Sequence, residues 1–286
     1  MSTYRELYDT AFDALSGLPM PDLETREIVA LSGRLCGDHI DANSIQSRYR
    51  EPAPADAEGK LTGLLERRLC GEPLAYLLGE WDFCGLNLIV TKDVLVPRSD
   101  TETVVLHAVK LIREHRYSRV LDLCCGSGCI GAAILQHTAA DVTFVDVSEP
   151  ALEVTRKNLD FLGFSGRADV VSADALDEPP SDIGPFDLIV SNPPYVSADE
   201  LSVLDVEVAA FEPTLALYGG SDGLNFYRSI CAYWKSLLLP GGRIVFEIGM
   251  EQAADVTAIL ERNGFTGIET GQDLSGHDRV VTAVLL

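Results

Sequence analysis

From Val120 onward the chain repeats one unit: a short apolar run of strand length, a loop, then a longer run with helical spacing. Val120-Leu121-Asp122 leads through a glycine loop into an apolar helix ending at Gln136. Val142 to Asp146 leads into Glu149 to Phe161, and Ala168 to Asp174 into a loop holding Pro179-Pro180. Leu188 to Ser191 opens into Asn192-Pro193-Pro194-Tyr195. Tyr227 to Leu239 reads as a helix, Pro240-Gly241-Gly242 as a turn and Arg243 to Ile248 as a strand. Glu251 to Arg262 reads as a helix and Arg279 to Leu285 as a last strand. Parallel strands need crossover connections, so this alternation predicts an α/β fold with a mostly parallel sheet covered on both faces.

In such sheets ligands bind beyond the carboxyl ends of the strands. Four successive strands here end in polar residues, Asp122, Asp146, Asp174 and Asn192. Each Asp alone would pass for a helix cap or a loop residue; their convergence predicts a site. The turn Gly126-Ser127-Gly128 lets backbone N–H groups approach a ligand at the start of a helix. Asp146 stands where a carboxylate would accept hydrogen bonds from ribose hydroxyls, and Asp174 would lie near an adenine.

The fourth loop has its own chemistry. Asn192 and Pro193 each precede a proline, which drives them to extended conformations. Neither proline has an N–H, so around Pro193 and Pro194 the backbone offers carbonyls and no donors. A loop of that kind suits a ligand that is itself a donor, such as an –NH2 group.

Two cofactor readings remain open on these residues. Gly126, Gly128 and Gly131 spell G-x-G-x-x-G with Asp146 about 20 residues on, as a dinucleotide site would want. Asp122, just before the loop, would repel a pyrophosphate yet suits the ammonium of S-adenosylmethionine. The Asn-Pro-Pro-Tyr loop has no use in hydride transfer, which weighs for methyl transfer.

Ahead of the alternating region the pattern is helical. Leu7, Ala11, Ala14 and Leu15 recur at helical spacing, Asp22 to Leu35 follows Pro21, and Leu61 to Leu69 follows a Pro/Ala-rich gap. Trp81 to Val90 alternates and predicts a β-hairpin. The expected organisation is a helical recognition domain at 1–80, a hairpin linker at 81–97 and a catalytic domain at 98–286.

Charge limits the partners. The 286 residues carry 44 acidic and 22 basic side chains, a net charge of −22. Proteins that grip nucleic acid neutralise phosphates with clustered Lys and Arg, and the five lysines here are scattered: Lys60, Lys92, Lys110, Lys157 and Lys235. Naked DNA or RNA is disfavoured as a substrate. No cysteine pair has C-x-x-C spacing, so Cys124, Cys125 and Cys129 read as compact residues of a tight turn with no metal bound. The opening Met1-Ser2-Thr3-Tyr4-Arg5-Glu6 lacks the layout of a signal peptide and no apolar run is long enough to span a membrane, which makes a cytoplasmic protein the expectation.

Several runs together carry a resemblance. Pro73 to Gly79, Val96-Pro97-Arg98, Thr101-Glu102, Asp122 to Gly128 and Asn192 to Tyr195 resemble the HemK/PrmC family. So do Phe211-Glu212-Pro213, Gly219 to Leu224, Glu247-Ile248-Gly249 and Gly276 to Arg279. The match runs in order over nearly the whole chain. It implies a class I, Rossmann-like S-adenosylmethionine-dependent methyltransferase with a mostly parallel seven-stranded sheet and a small N-terminal helical domain. The implied reaction methylates the side-chain amide nitrogen (N5) of the glutamine in the Gly-Gly-Gln loop of class I peptide chain release factors. The residues implied to hold the cofactor are Asp122, Cys124, Cys125, Gly126, Ser127, Gly128, Asp146, Asp174, Ala175 and Asn192. Those implied to hold the substrate amide and serve catalysis are Asn192, Pro193, Pro194 and Tyr195.

There are two departures. Ser99-Asp100 stands where the family has proline and an acid, a variant shared with sister enzymes that methylate a ribosomal protein glutamine. Cys124 replaces the first loop glycine, and a cysteine there is expected to keep φ below zero. Asn/Asp-Pro-Pro-Tyr/Phe loops also resemble those of nucleic-acid amino-methyltransferases, which the acidic charge disfavours. A non-catalytic binding protein on the same fold is disfavoured because all the proposed site residues are present.

Overall fold

The computed structural model describes residues 2–286, the side chain of Val206 excepted. The chain divides into two units, 1–79 with 206–211, and 80–205 with 212–286.

Four helices make the first unit's frame: α1 (Tyr4–Leu15), α2 (Pro21–Arg34), α3 (Ala57–Leu69) and α4 (Leu74–Leu78). Thr3 and Glu6 close a capping box at the start of α1, satisfying two backbone donors reciprocally. Leu7, Ala11 and Leu15 then bury one helical stripe. Gly33 in α2 lets Tyr4 lie flat on that helix: a Cβ would come 2.6 Å from the Tyr4 hydroxyl. Arg68 of α3 is buried and pairs with Glu24 of α2 at 2.5 Å and with Glu207 at 2.8 Å. Removing one partner of such a buried pair strands a charge, so this link ties the returning segment 206–211 into the unit.

The second unit begins with the hairpin β1 (Glu80–Phe83) and β2 (Leu86–Ile89), followed by α5 (Glu102–His115), β3 (Arg119–Leu123), α6 (Cys129–His137), β4 (Asp141–Asp146), α7 (Glu149–Leu162), β5 (Ala168–Ser172) and β6 (Phe186–Ser191). The short α8 (Ala198–Leu201) and α9 (Val206–Phe211, in the first unit) come next, then α10 (Asn225–Ala232), β7 (Leu238–Glu247), α11 (Ala253–Arg262), β8 (Phe265–Gln272) and β9 (Asp278–Leu285). Seven strands form one sheet in the order β5-β4-β3-β6-β7-β9-β8. From β5 to β7 the pairing is parallel, and β9 runs antiparallel to both neighbours. This is the mostly parallel seven-stranded sheet expected.

Alternation along each strand feeds two cores. Val120 of β3 packs under α5, α6 and α7 with Val104, Ala133 and Leu152, while Leu121 and Leu123 pack on the other face with Tyr227, Ile230 and Leu260. The chain winds outward from β3 to β4 and β5, then returns to lay β6 on the other side of β3. The order reverses there, and a crevice opens at such a switch point beyond the carboxyl ends.

Three readings change. Pro240-Gly241-Gly242 lies inside β7, which starts at Leu238; a register shift between Phe186 and Leu188 marks the irregularity that admits a proline. The helix expected over Tyr227 to Leu239 stops at Ala232 and tightens into a 3-10 turn over Trp234–Leu237. β8 (Phe265–Gln272) lies outside the strands the sequence predicts. As an edge strand it has only Phe265 buried, so no alternation announces it.

Candidate active site

A cavity opens at the switch point between β3 and β6. Its walls include Cys124, Cys125, Gly126 and Ser127 of the first loop, Asp146, Asp174 and Ala175 beyond the next two strands, and Asn192 and Pro194 beyond β6. Arg98 and Thr101 approach from the segment before α5.

The first loop is held from three sides. Cys125 N–H donates to the Val145 carbonyl at 3.0 Å, and Thr155 Oγ1 donates to the Gly126 carbonyl at 2.8 Å. Asn158 of α7, almost fully buried, donates to the Ser127 carbonyl at 2.9 Å and makes two further bonds with the backbone of Ile89. Cys124 has φ of 61°, which overturns the expectation of a negative value. A left-handed residue with a side chain is strained, and the loop's fixed ends enforce it. Burial pushes the thiols of Cys124 and Cys125 well above their ordinary range, so both are neutral.

Asp146 Oδ2 accepts from Gly126 N–H and Oδ1 from Ser148 N–H, both at 2.9 Å. An ionised carboxylate has about four lone-pair positions, so each oxygen keeps one for a ligand. Burial raises its titration while the backbone donors pull it back. Asp174 lies two residues past the end of β5 and closes a turn by accepting from Leu176 N–H at 2.8 Å. Leu176, Val147 and Phe226 give that end an apolar wall.

Asp122 is placed differently from the expectation. It sits inside β3, and the period of two turns its side chain under α6, fully buried. Oδ2 accepts from Gly131 N–H at 2.8 Å, and Oδ1 has no partner among the described residues. Burial pushes its carboxyl up to about 7. It does not line the cavity, and neither do Gly128, Pro193 or Tyr195. Direct contact with a ligand ammonium is therefore not what this position offers.

Beyond β6, Asn192 faces the cavity and its Nδ2 donates to Thr101 Oγ1 at 3.3 Å. Tyr195 turns inward, its hydroxyl donating to Glu247 Oε1 at 3.3 Å. The loop is braced by Gly219 and Gly223, where a Cβ would come 2.6 Å from the Pro194 carbonyl and 2.3 Å from that of Tyr195. Gln252 Nε2 also donates to the Tyr195 carbonyl at 3.0 Å. Thr101 and Glu247 stand in runs that carry the family resemblance, Thr101 being expected near the site and neither having an assigned role, and Gln252 joins them with no mark in the sequence. They meet Asn192 and Tyr195 only through long-range folding, and no local spacing marks them.

Charge decides between the cofactor readings. Among the described residues lining the cavity, three are carboxylates (Asp93, Asp146, Asp174) and one is a cation, Arg98, which pairs with Glu212 at 2.6 Å. A diphosphate would meet repulsion there, whereas a sulfonium and an ammonium would be welcome. The carboxylate at Asp146, the apolar wall and the glycine turn fit the ribose, base and aminoacyl parts of S-adenosylmethionine.

Comparison with known proteins agrees. Residues 98–210 match the methyltransferase small domain and residues 6–79 the PrmC N-terminal domain. The release factor glutamine methyltransferase of Clostridium acetobutylicum is 41% identical over 213 residues, 74% of this chain and 75% of that one. The same-named protein of Caulobacter vibrioides is 37% identical over 270 residues, 94% of this chain and 91% of that one. Among solved structures, a methyltransferase from Pyrococcus furiosus shares the fold, with a TM-score of 0.50 at 16% identity over 78% of this chain and 98% of that one.

Proposed function

This chain belongs to the release factor glutamine methyltransferase family, and we infer from that membership and from the site that it methylates a protein glutamine with S-adenosylmethionine as donor. The substrate we propose is the glutamine of the Gly-Gly-Gln loop of class I peptide chain release factors, modified on N5. The observation that carries the reading is the pairing at one cavity of a cofactor wall with a proline-locked loop whose Asn192 presents an acceptor.

When bound, S-adenosylmethionine supplies an electrophilic methyl group on a sulfonium. Cys124 to Ser127, Asp146, Asp174 and Ala175 form the wall that would hold it. A carboxamide nitrogen is a poor nucleophile because its lone pair is conjugated, as the ~18–20 kcal/mol rotation barrier of a peptide bond shows. The chain's task is to hold the –NH2 so that the lone pair meets the methyl. Asn192 Oδ1 accepts one of its hydrogens, which orients it and stabilises the positive charge growing on nitrogen; the Pro193 carbonyl, set back from the cavity wall, is the second acceptor that the family resemblance implies. Pro194 walls the amide, and Tyr195 sets the loop's shape through Glu247 and Gln252. The methylated, cationic amide loses its proton readily, so no strong base is needed.

The test is to incubate the chain with labelled S-adenosylmethionine and, separately, a release factor, the same factor with the motif glutamine changed to alanine, a ribosomal protein and DNA. Label on the unaltered release factor alone is expected. Label on the ribosomal protein would move the substrate, and label on DNA alone would overturn the reading.

A further inference from the structure

Phe226 of α10 lines the cavity, and Ser229, one turn further along the same face of that helix, is buried. The Ser229 hydroxyl donates to the Ala175 carbonyl at 2.8 Å, a bond that methyl transfer as described leaves without a task. Ala175 belongs to the turn that follows β5. Ala173 N–H ties the start of that turn to the Asp146 carbonyl at 3.1 Å, and Asp177 N–H closes it on the Asp174 carbonyl at 3.0 Å. Its far end hangs from Trp234, fully buried, whose Nε1 donates to the Asp177 carbonyl at 3.0 Å.

What Ser229 holds is one end of a rigid plate. The Ala175 carbonyl and the Leu176 N–H are parts of a single planar peptide and point in opposite directions. Leu176 N–H donates to Asp174 Oδ1 at 2.8 Å. Fixing the carbonyl end therefore fixes the N–H end, and with it the rotation of the Asp174 carboxyl group. Oδ1 is committed to the turn, and Oδ2 is the oxygen left for a ligand at this apolar end of the cavity. A carboxylate oxygen accepts and does not donate. A donor suits it, such as the 6-amino group of adenine; the 6-oxo group of hypoxanthine does not.

We propose that Ser229 is a positioning residue that sets the cofactor's base specificity, holding the Ala175–Leu176 peptide so that Asp174 Oδ2 meets the adenine amino group. The proposal deepens the function proposed above and rests on its cofactor reading. It stands on the bonds Ser229–Ala175 and Leu176–Asp174, on the planar peptide between them and on the place of Asp174 in the cavity wall. Trp234 holds the same turn by a carbonyl outside that peptide, so the two anchors have separable effects. Without the Ser229 hydroxyl the carboxyl group is free to turn. Without the Trp234 N–H only the exit of the turn slackens.

The experiment measures by calorimetry the affinities of S-adenosylhomocysteine and S-inosylhomocysteine, which carry adenine and hypoxanthine on otherwise identical molecules. The unsubstituted chain is compared with Ser229→Ala and Trp234→Phe. The unsubstituted chain should prefer the adenine ligand about ten- to a hundredfold, the range of a hydrogen bond to a charged group. Ser229→Ala should cut that preference to below about threefold, through weaker binding of the adenine ligand, with the hypoxanthine ligand nearly unchanged. Trp234→Phe should lower both affinities together and keep the preference. An unchanged preference in Ser229→Ala, an equal loss of both ligands there, or a preference lost as far in Trp234→Phe overturns the role of Ser229 alone. So does a lack of preference in the unsubstituted chain. If the unsubstituted chain binds neither S-adenosylhomocysteine nor S-adenosylmethionine, the cofactor reading falls and the proposal falls with it.

Discussion

Gly131 meets Asp122 so closely that no side chain fits between them. The N–H donates to Oδ2 at 2.8 Å, and a Cβ at Gly131 would lie 2.9 Å from that oxygen and 2.2 Å from the Phe144 ring. Phe144 is fully buried and has nowhere to go. Gly131→Ala should push α6 off the sheet and cost about 1–3 kcal/mol, the usual range for overpacking. Denaturant unfolding reads the loss; an unchanged midpoint would show the helix shifting freely.

Asp122 should leave a mark on the pH dependence of stability. Its carboxyl, pushed up to about 7 by burial, is protonated in the folded chain at pH values where the unfolded chain has lost the proton. The group therefore favours folding most at low pH, and that advantage is lost as pH rises toward 7. Asp122→Asn removes the effect. Its stability relative to the unsubstituted chain should improve with pH by up to roughly 1.4 kcal/mol per unit between about pH 4 and 7, then level. A difference constant across that window would mean Asp122 is ionised throughout.

Asp146 braces the loop through Gly126 and Ser148 and, on the proposed function, also takes the ligand. Asp146→Ala strands the Gly126 and Ser148 N–H groups and removes the carboxylate from the cavity. Cofactor affinity by calorimetry should fall at least about tenfold, or 1.4 kcal/mol. Unchanged affinity would move the ribose contact elsewhere.

Asn192→Ala should separate binding from chemistry. Losing a preorganised donor or acceptor in such a site costs about a hundred- to a thousandfold in rate, while S-adenosylmethionine affinity should stay near its original value. Single-turnover methyl transfer, run beside calorimetry, distinguishes the two.

At Cys124, with φ of 61°, the side chain's branching should matter more than its polarity. Cys124→Gly relieves about 1–2 kcal/mol of left-handed strain but frees the unfolded chain by a similar amount, leaving stability within about 1 kcal/mol of the original. Cys124→Val adds a β-branched residue at the same φ and should destabilise clearly. Equal melting temperatures for the two variants would show that the loop relaxes.

What the sequence made legible follows the range of the forces involved. The strands β3, β4 and β6 and the polar residues near their ends declare themselves through local alternation, and Asn192 to Tyr195 through proline's hard limits on the backbone. Asp122 was found but its direction was not, because whether a strand's last residues face a ligand or a helix depends on where the strand ends. A residue earlier or later would have turned it outward. β8, exposed along most of its length, gives no periodic signal, and Cys124 adopts a conformation dictated by anchors at Val145, Thr155 and Asn158 rather than by its neighbours. Thr101 and Asn192, 91 positions apart in sequence, become partners only once the chain has folded.

Leu123 and Ser191 stand opposite each other in the β3–β6 ladder, and Ser191 Oγ donates to the Leu123 carbonyl at 2.5 Å. The next residue on one strand opens the loop proposed to hold the cofactor, and the next on the other is Asn192. On the proposed roles, the gap across which a methyl group must travel is gauged by one rung. A slip of one rung would move the two ends about 3.3 Å past each other, against a working tolerance of about 1 Å, and would turn every side chain of the strand to the opposite face. Evolution can lengthen or trim the loops between residues 124 and 186 and leave this gauge untouched, but a single residue gained or lost inside either strand would put donor and acceptor out of reach.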